Sequence, residues 1–465
     1  MKTLHKKIRI IGMLVVILFV AMGCWLGRTV YLQGSQWANT AYNTRITSAK
    51  RSVTPGDITD RNGVTLASTD SEGDRTYISD KTTRRALSHT TGDVSNMSGT
   101  GVETMQASEL YDISGSFTDK LLQIYTGSGK RGNDVQLTID AVLTDSIARK
   151  FPDGYEGAVV VMNYRTGEIL AMVSKPEYDP ANVSATGDND SYMNRCLQGL
   201  YTPGSTFKIV TLAAALSNIS GITDASFTCD GLWEYSGGDM VCAGNATHGT
   251  LTLKQAFAKS CNITFGKIAY QLGEDKLRAT AEAFGLNENF KFSDIVLYNS
   301  TFPDNISSMD ELAWSGVGQG KVLITPMQMC MITSAIANDG IMMEPKLIKQ
   351  VTSTGGIVKS TMGSSVVRRV CSSDIASILK EYMYEVVKSG TGTRAQIDGK
   401  IVCGKTGSAE TSNDKSVETN AWFTGFILDE NTPYAVTVVV EQGGSGGKTA
   451  AQIGQYALQA VSNAH

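Results

Sequence analysis

The pattern of apolar and polar residues divides the chain into three stretches. Residues 10–27 carry no charged side chain, and residues 28–135 are polar and broken by turn signals such as "TPGDITDRNG". Apolar periodicity returns from residue 136 onward. Clusters of Gly, Pro, Asn and Asp interrupt long helices and strands. The pattern therefore predicts one N-terminal helix, a small irregular β-rich module over 28–135 and a larger regular domain over 136–465.

The uncharged stretch has the length and the flanks of a membrane anchor. A helix over residues 10–27 is about 27 Å long, close to the hydrocarbon thickness of a bilayer. Four basic residues precede it: Lys2, Lys6, Lys7 and Arg9. Because positive charge favours the cytoplasmic side, we expect a cytoplasmic tail over 1–9, a single uncleaved crossing over 10–27 and an extracytoplasmic remainder. A cleaved signal peptide is the alternative, although its small-residue cleavage site would be poor.

The larger domain begins with a strand pair and ends with three strands. "GAVVVMNYRTGEILAMVS" indicates two β-branched strands joined by a short turn. Helical patterns dominate from about 204 to 285, and "GKIVCGKTGSAE", "NAWFTGFI" and "YAVTVVVEQ" follow as strands before a final helix. An early hairpin, central helices and late strands predict an α+β fold, in which helices flank an antiparallel sheet.

Composition and charge exclude several classes of function. With 42% hydrophobic and 18% charged residues, the chain is typical of an ordered protein rather than a disordered or fibrous one. Its net charge of −4 provides no basic surface for a phosphate backbone. We therefore expect no nucleic-acid partner.

Eight cysteines are spread along the chain. Cys229 and Cys242 flank a glycine-rich loop, and in an exported chain this spacing is compatible with a disulfide or with two separate thiols. Most of the other cysteines lie in apolar runs, where they serve as small buried hydrophobic residues. The sequence has no C-x-x-C pair and no histidine cluster. It therefore predicts no metal site, and we expect no cofactor.

The stretch "YTPGSTFKIVTLAAAL" places one serine and one lysine at the start of an apolar helix. Pro203 and Gly204 mark the helix start, where N–H groups lack partners, so the N–H of Ser205 can face a substrate oxygen. Lys208 lies on the same helical face, and burial lowers the pKa of a lysine so that it can act as a base. Such a pair activates a serine without histidine. The alternative is an N-cap serine followed by a snorkelling lysine.

The Ser-x-x-Lys spacing occurs three more times, at Ser377/Lys380, Ser412/Lys415 and Ser445/Lys448. The last two pairs lie in polar or glycine-rich loops, which cannot hold two side chains on one helical face. Ser377 falls inside a helix, where its N–H is already bonded and its hydroxyl bonds backward. We therefore place the nucleophile at Ser205.

Two further motifs accompany Ser205. Ser260 and Asn262 stand two residues apart between helical stretches, and Lys405 to Ser408 form "KTGS" on a strand candidate. We expect Gly407 in this strand to let the substrate backbone approach closely. In this order the motifs match the Ser-x-x-Lys, Ser-x-Asn and Lys-Thr-Gly set of penicillin-recognising serine acyl transferases.

With these motifs, and with "GDITDRNGVTLA", "LTID", "GQGKVLITPMQM", "SGTGT" and "AWFTGF", the chain resembles a class B penicillin-binding protein over nearly its whole length. The class consists of membrane-anchored peptidoglycan D,D-transpeptidases. Residues 28–135 would then form a short dimerisation or pedestal-like module, and 136–465 the transpeptidase domain. The resemblance implies peptidoglycan stem peptides as substrates, covalent β-lactam binding, and a polytopic membrane glycosyltransferase of the SEDS type (shape, elongation, division and sporulation) as a partner.

The resemblance also implies roles for eight residues. The catalytic set comprises the acylated nucleophile, which attacks the D-Ala-D-Ala bond, its base, and two residues for proton relay and substrate contact: Ser205, Lys208, Ser260 and Asn262, respectively. The substrate-binding set, which would hold the carboxylate of the donor peptide, comprises Lys405, Thr406, Gly407 and Ser408. The N–H groups of Ser205 and Ser408 would form the oxyanion hole.

Three other functions remain as alternatives: a β-lactamase, a β-lactam sensor and a non-catalytic activator. A β-lactamase needs a glutamate that activates water, and the nearest candidate, Glu282, is one residue out of register and better explained as a helix end before Gly285. A β-lactam sensor would carry a hydrophobic residue in place of Asn262. A non-catalytic activator of a glycosyltransferase would have no physical need for a lysine in an apolar helix.

Overall fold

The structure is a computed structural model. It describes residues 2–38, 44–50, 52–113, 130–183, 189–361, 363–412, 414 and 416–464. The strands of these residues are β1 (Ile58–Thr59), β2 (Thr65–Thr69), β3 (Arg75–Tyr77), β4 (Asp134–Leu137), β5 (Gly157–Asn163), β6 (Ile169–Lys175), β7 (Ser226–Cys229), β8 (Leu232–Tyr235), β9 (Gly238–Val241), β10 (Gly249–Thr252), β11 (Ile341–Met343), β12 (Ile348–Thr352), β13 (Val358–Thr361), β14 (Val366–Arg369), β15 (Val402–Ala409), β16 (Asn420–Ile427) and β17 (Tyr434–Val440).

The α-helices of the same residues are α1 (Lys2–Ala38), α2 (Thr44–Ala49), α3 (Lys81–Ala86), α4 (Ser88–Thr91), α5 (Val102–Met105), α6 (Ala107–Leu110), α7 (Ala141–Lys150), α8 (Arg195–Gln198), α9 (Lys208–Asn218), α10 (Leu253–Ala258), α11 (Asn262–Leu272), α12 (Glu274–Ala283), α13 (Met309–Gly316), α14 (Pro326–Ala337), α15 (Ser373–Lys388) and α16 (Thr449–Ala464).

Helix α1 is the apolar N-terminal helix that the sequence predicts. Its segment His5–Val30 is long and apolar enough to cross a membrane, and none of its most apolar window is buried against the protein. Exposed apolar side chains need an apolar environment, which a bilayer supplies. The structure therefore agrees with a possible membrane anchor over the predicted residues 10–27.

A five-stranded antiparallel sheet in the order β15-β16-β17-β5-β6 forms the centre of the larger domain. Alternate residues of β5 face opposite sides, so Val159 and Val161 belong to one buried cluster and Val160 and Met162 to another. Helices α7 and α16 cover the first face, whereas α9 and α14 contribute to the second cluster. Both faces of the central sheet are buried, which accounts for the nearly continuous β-branched runs of these strands. The predicted α+β fold is confirmed.

One part of the predicted helical stretch forms strands instead. Between α9 and α10 lie two small antiparallel pairs, β7 with β10 and β8 with β9. In β8 the exposed Leu232 and Glu234 alternate with the half-buried Trp233 and Tyr235, which is the two-residue period of a strand. Because these strands are only four residues long, the helical signals on both sides obscured this period.

The N-terminal module contains short strands that join a sheet from elsewhere in the chain. The sheet has the order β13-β12-β4-β1-β2-β3, so a hairpin formed by β12 and β13 completes it. Strand β4 spans the predicted domain boundary between residues 135 and 136. The four domain limits stay predictions, and the sheet links the two sides of that boundary through main-chain hydrogen bonds.

Candidate active site

Ser205 lies in a 3₁₀ turn, Gly204–Phe207, directly before α9; this segment is called the serine turn below. Gly204 has φ of +55°, a left-handed conformation that favours glycine, and its N–H donates to the Gly318 carbonyl at 2.8 Å. The indole nitrogen of Trp422 donates to the Thr202 carbonyl at 3.1 Å. The first bond holds the serine turn to the loop after α13, and the second holds the segment before the turn to β16 of the central sheet. The predicted helix start is confirmed, with a 3₁₀ turn as its first turn.

Lys208 is fully buried below the serine turn. Its ammonium nitrogen donates to the Ser260 carbonyl at 2.7 Å, to Asn262 Oδ1 at 2.8 Å and to Ser260 Oγ at 3.3 Å. Burial lowers the pKa of Lys208 to about 7. A large fraction of the side chain is therefore uncharged near neutral pH, as a general base requires. The sequence prediction of a buried lysine with a lowered pKa is confirmed.

Ser260 and Asn262 approach Lys208 from the segment between α10 and α11. Ser260 has φ of +57°, which is uncommon for a residue with a side chain. Its hydroxyl oxygen accepts from Lys208 and also from Lys405 Nζ at 2.9 Å, so it bridges the two lysines. Asn262 Nδ2 donates to the Val241 carbonyl at 3.1 Å. The amide is thereby oriented with its oxygen toward Lys208.

Lys405 occupies the strand β15, and its side chain is fully buried. Besides Ser260 Oγ, its Nζ donates to the carbonyl of Thr406 at 3.1 Å. Burial, together with the positive charge of Lys208, lowers the pKa of Lys405 well below its ordinary value. We expected Lys405 to contact the substrate carboxylate. In the structure its Nζ lies behind Ser260 rather than on the cleft surface.

The three residues after Lys405 reach the cleft surface. Thr406 and Thr391 join their hydroxyl groups at 2.5 Å, and Ser408 Oγ accepts from the Gly446 N–H at 3.1 Å. A Cβ on Gly407 would lie 2.8 Å from the Pro203 carbonyl oxygen. The glycine is therefore required by packing against the segment before the serine turn. This packing constraint is a second reason for the glycine, and close approach of the substrate backbone stays a prediction.

The cleft has a volume of about 400 Å³ and collects most of the residues that the sequence singled out. Six of the eight line it, namely Ser205, Ser260, Asn262, Thr406, Gly407 and Ser408. The other two, Lys208 and Lys405, are buried beneath the residues that line the cleft. Among the described residues that line the cleft there is no aspartate or glutamate. Glu282, the rejected candidate for a water-activating base, is exposed on α12 and is not among them.

The sequence analysis missed several residues of the cleft wall: His248, Lys259, Gln319, Thr391, Ser445 and Lys448. Gln319 and Thr391 belong to "GQGK" and "SGTGT", so a signal existed without an assigned role. Ser445 and Lys448 were set aside as a nucleophile pair, yet their glycine-rich loop forms part of the rim. Ser377 is exposed on α15, away from the cleft, and Lys380 pairs with Asp339 at 2.6 Å. Lys415 lies outside the described residues.

Beside the Ser260 segment, four side chains form a compact group, called the Cys/His cluster below: Cys229, Cys242, His248 and Cys261. Their sulfur and ring nitrogen atoms all lie within 4.8 Å of one another. The sulfurs of Cys229 and Cys242 are 3.7 Å apart, and the structure has both cysteines as free thiols. The sequence analysis expected no metal site because it saw no cluster of possible ligands, and the structure brings these four together through hairpin pairing of residues that are far apart in sequence.

Comparison with known proteins agrees with this geometry. The model of the penicillin binding protein transpeptidase domain matches residues 157–459. The chain belongs to the penicillin-binding protein transpeptidase family. Across 461 residues it is 30% identical to the peptidoglycan D,D-transpeptidase PbpA of Mycolicibacterium smegmatis, covering 90% of this chain and 91% of that protein. The predicted resemblance to class B penicillin-binding proteins is confirmed.

Solved structures of this family have the same fold as the chain. Penicillin-binding protein A from M. tuberculosis, in its ceftriaxone acyl-enzyme complex, has a TM-score of 0.81 at 30% identity and covers 89% of this chain and 99% of its own. The penicillin G acyl-enzyme complex has a TM-score of 0.79 at 30% identity, with 88% and 99% covered. The fold of nearly nine-tenths of this penicillin-binding protein is thus shared with theirs.

Proposed function

We propose that Ser205 is the nucleophile with which this protein acts as a peptidoglycan D,D-transpeptidase and reacts with β-lactams. The observation that carries the assignment is the buried Lys208, whose pKa is lowered to about 7. Its amine also contacts Ser260 Oγ, which in turn contacts Lys405 Nζ. A neutral lysine beneath a cleft serine supplies the base that serine needs. Among the four Ser-x-x-Lys pairs, only this one has its lysine fully buried within the described residues.

In the first half-reaction, Ser205 Oγ attacks the carbonyl carbon of the D-Ala-D-Ala peptide bond. The hydroxyl proton passes to the neutral amine of Lys208, and the carbonyl oxygen becomes an oxyanion held by the N–H groups of Ser205 and Ser408. When the C–N bond breaks, the leaving D-alanine amine takes up one proton by way of Ser260 Oγ. Peptide and serine become an ester and free D-alanine, and Lys208 is again neutral. No cofactor enters the cycle.

In the second half-reaction, an amine of a neighbouring stem peptide attacks the ester carbon. Lys208 accepts a proton from this amine and the Ser205 oxygen regains one, so the products are a new amide and the free serine. We assign the terminal carboxylate of the donor peptide to the hydroxyl groups of Thr406 and Ser408. Lys405, behind Ser260, would attract this carboxylate electrostatically. A bound anion raises the pKa of a nearby lysine and restores its positive charge.

Covalent labelling tests the nucleophile. A fluorescent penicillin should label the wild-type protein but not Ser205→Ala, because among the described Ser-x-x-Lys pairs only Ser205 and Lys208 combine a serine at the cleft with a fully buried lysine. Ser377→Ala is the matched control, since it belongs to the same sequence pattern but is exposed on α15, and it should label normally. Retained labelling of Ser205→Ala would refute the site.

The lifetime of the acyl-enzyme separates the transpeptidase from a β-lactamase. Since no described carboxylate lines the cleft, ester hydrolysis lacks a general base, which is worth about 10²- to 10⁴-fold in rate. A penicilloyl adduct on Ser205 should therefore persist for many minutes in intact-protein mass spectrometry. Clearance within seconds, with catalytic consumption of penicillin, would favour the β-lactamase alternative.

We further propose that α1 crosses the bacterial cell membrane once and that the cleft lies on the extracytoplasmic side. The support is the basic flank before the apolar segment. A reporter enzyme that is active only outside the cytoplasm, fused after His465, should be active in the full chain and inactive without residues 1–38.

We also propose a SEDS glycosyltransferase as a partner of this protein. Co-purification of the two full-length proteins tests this proposal.

A further inference from the structure

The distances within the Cys/His cluster are those of four ligands around one small metal ion. Zinc binds cysteine sulfur at about 2.3 Å and histidine nitrogen at about 2.0–2.1 Å in tetrahedral geometry, which places two sulfurs about 3.8 Å and a sulfur and a nitrogen about 3.6 Å apart. The sulfur of Cys242 lies 3.7 Å from the sulfur of Cys229 and 3.6 Å from the sulfur of Cys261. Cys229 Sγ lies 3.4 Å from His248 Nδ1.

We propose that this protein binds one zinc ion through three thiolates and one imidazole, those of Cys229, Cys242, Cys261 and His248. On binding, one Zn²⁺ from solution replaces three thiol protons, which pass to the solvent. The imidazole binds in its neutral form. Soft thiolate ligands select zinc over hard cations such as Mg²⁺ or Ca²⁺. With all four positions filled by protein, the site is of the structural kind rather than the open, catalytic kind.

The surroundings of the cluster fit metal-bound thiolates. All three cysteines are buried, and Cys261 Sγ accepts hydrogen bonds from the Thr264 N–H at 3.5 Å and from Thr264 Oγ1 at 3.3 Å. Donors of this kind orient ligands and favour the charged sulfur. The main chain contributes as well, because the N–H of His248 donates to the Cys229 carbonyl at 3.2 Å and fixes the histidine beside that ligand.

The ligands come from separate elements, so a metal ion would join them. Cys229 ends β7, Cys242 follows β9, His248 precedes β10 and Cys261 caps the N-terminus of α11. An isolated two-stranded pair is marginal in water, and both strand pairs present largely exposed side chains. Zinc would fasten them to α11. Since Cys261 stands between Ser260 and Asn262, the same ion would hold the segment that contacts Lys208.

A disulfide accounts for the cluster less well. It would use two of the three thiols and require their sulfurs to move from 3.7 Å to about 2.0 Å. It would also need a two-electron oxidant and would leave the third cysteine and the histidine without a role. The compact arrangement of all four groups therefore favours the ion.

Metal analysis of the full-length protein tests the proposal. The protein, purified in detergent without added metal, should carry one equivalent of zinc by elemental analysis, and a thiol reagent should release it. Reconstitution with Co²⁺ alone should give the visible bands of tetrahedral cobalt and thiolate charge transfer. Cys261→Ser and His248→Ala should lose most of the zinc. Cys371→Ser, a half-buried cysteine outside the cluster, should retain it.

A second variant keeps the test decisive if a ligand deletion fails to fold. His248→Cys preserves four ligands, so it should still bind one Co²⁺, with stronger thiolate charge-transfer absorption than the wild type. Two outcomes overturn the proposal. One is folded wild-type protein without zinc that does not take up Co²⁺ as a tetrahedral thiolate complex. The other is a Cys229–Cys242 disulfide, detected as the loss of two hydrogens in the peptide that links them.

Discussion

The two sides of the cleft are supported by different structural elements. The Ser205 side rests on the central sheet, where every residue of β16 and β17 is buried. The serine turn bonds to Gly318, and Thr202 just before the turn bonds to Trp422. The Ser260 side rests on the strand pairs β7–β10 and β8–β9, in which side chains such as Leu232 are 48% exposed. The Ser260 segment of this side contacts the Cys/His cluster through Cys261 and accepts hydrogen bonds from two buried lysines.

The difference shows that one active site can take its rigidity from two sources. Apolar burial is spread over many residues, so the Ser205 side should tolerate the loss of any one polar bond. A side-chain cluster concentrates its effect in a few atoms, so the Ser260 side should respond sharply to the loss of one ligand. Perturbations of the two sides should therefore differ in size and in kind.

Lys208 connects the two sides, and its replacement should have the largest effect. Lys208→Met removes the proposed base and should slow penicillin acylation by about 10²- to 10⁴-fold. Burial lowers the pKa of Lys208 to about 7, from an ordinary value of 10.5. The cost of burying this lysine is therefore full below about pH 7 and falls as pH rises toward 10.5.

Denaturant unfolding of the wild type and Lys208→Met at about pH 7 and about pH 9 measures this cost. The wild type should gain free energy of unfolding relative to the variant as pH rises. Lys405 is present in both proteins and does not change the sign of the comparison. A difference that is independent of pH would contradict the lowered pKa.

Removal of the proposed metal should act on one side only. Chelation under reducing conditions should increase hydrogen exchange in β7–β10 and around Ser260 while leaving β15–β17 unchanged. Acylation should fall by about 10- to 100-fold, the range in which perturbed metal sites lose activity. Zinc added back should restore both. Equal loss of protection on the two sides would mean that the Cys/His cluster does not support the Ser260 side separately.

Gly407→Ala should perturb the Ser205 side by a moderate amount. The added Cβ would lie 2.8 Å from the Pro203 carbonyl oxygen, which is part of the backbone and cannot rotate away. Overpacking of this kind costs about 1–3 kcal/mol. Gly99→Ala is the control, because its Cβ would have no neighbour within 4 Å. Thermal unfolding and acylation rates of both variants would show whether the tight contact matters.

Thr264→Val should have the smallest effect, confined to the Ser260 side. The change removes the hydroxyl donor to Cys261 Sγ but keeps the Thr264 N–H bond. Zinc affinity should fall by about tenfold, as measured by competition with a chromogenic chelator. Thr280→Val is the matched control, since that hydroxyl donates to a carbonyl within α12. An unchanged affinity would argue against a metal-bound Cys261.

The sequence predicted the Ser205 side better than the Ser260 side for a physical reason. Long β-branched runs and an apolar helix have strong periodicity, so β5, β6 and β15–β17 were predicted together with the serine turn. The strands β7–β10 are short and half exposed, and their period is weak. The Cys/His cluster depends on the pairing of these strands with each other and with α11, which no local pattern encodes.

The direction of side chains on β15 was the other limit. Position in "KTGS" identifies Lys405 and Gly407 as important, but it does not tell which face of the strand each side chain takes. In the structure the Lys405 side chain lies behind Ser260, and the position that a Cβ of Gly407 would take lies against the Pro203 carbonyl, although Gly407 itself also lines the cleft. The residues between and after them, Thr406 and Ser408, meet the cleft. Their roles toward substrate stay predictions.

The sheet of the N-terminal module has a consequence for the order in which the chain can fold during synthesis. Strand β4 pairs on one side with β1 and on the other with β12, and β12 pairs with β13. A ribosome makes β1 to β4 early and β12 much later, so the nascent module carries an open strand edge while the segments that contain Ser205 and Ser260 are being made. The module is therefore completed only after most of the domain that it precedes has been synthesised.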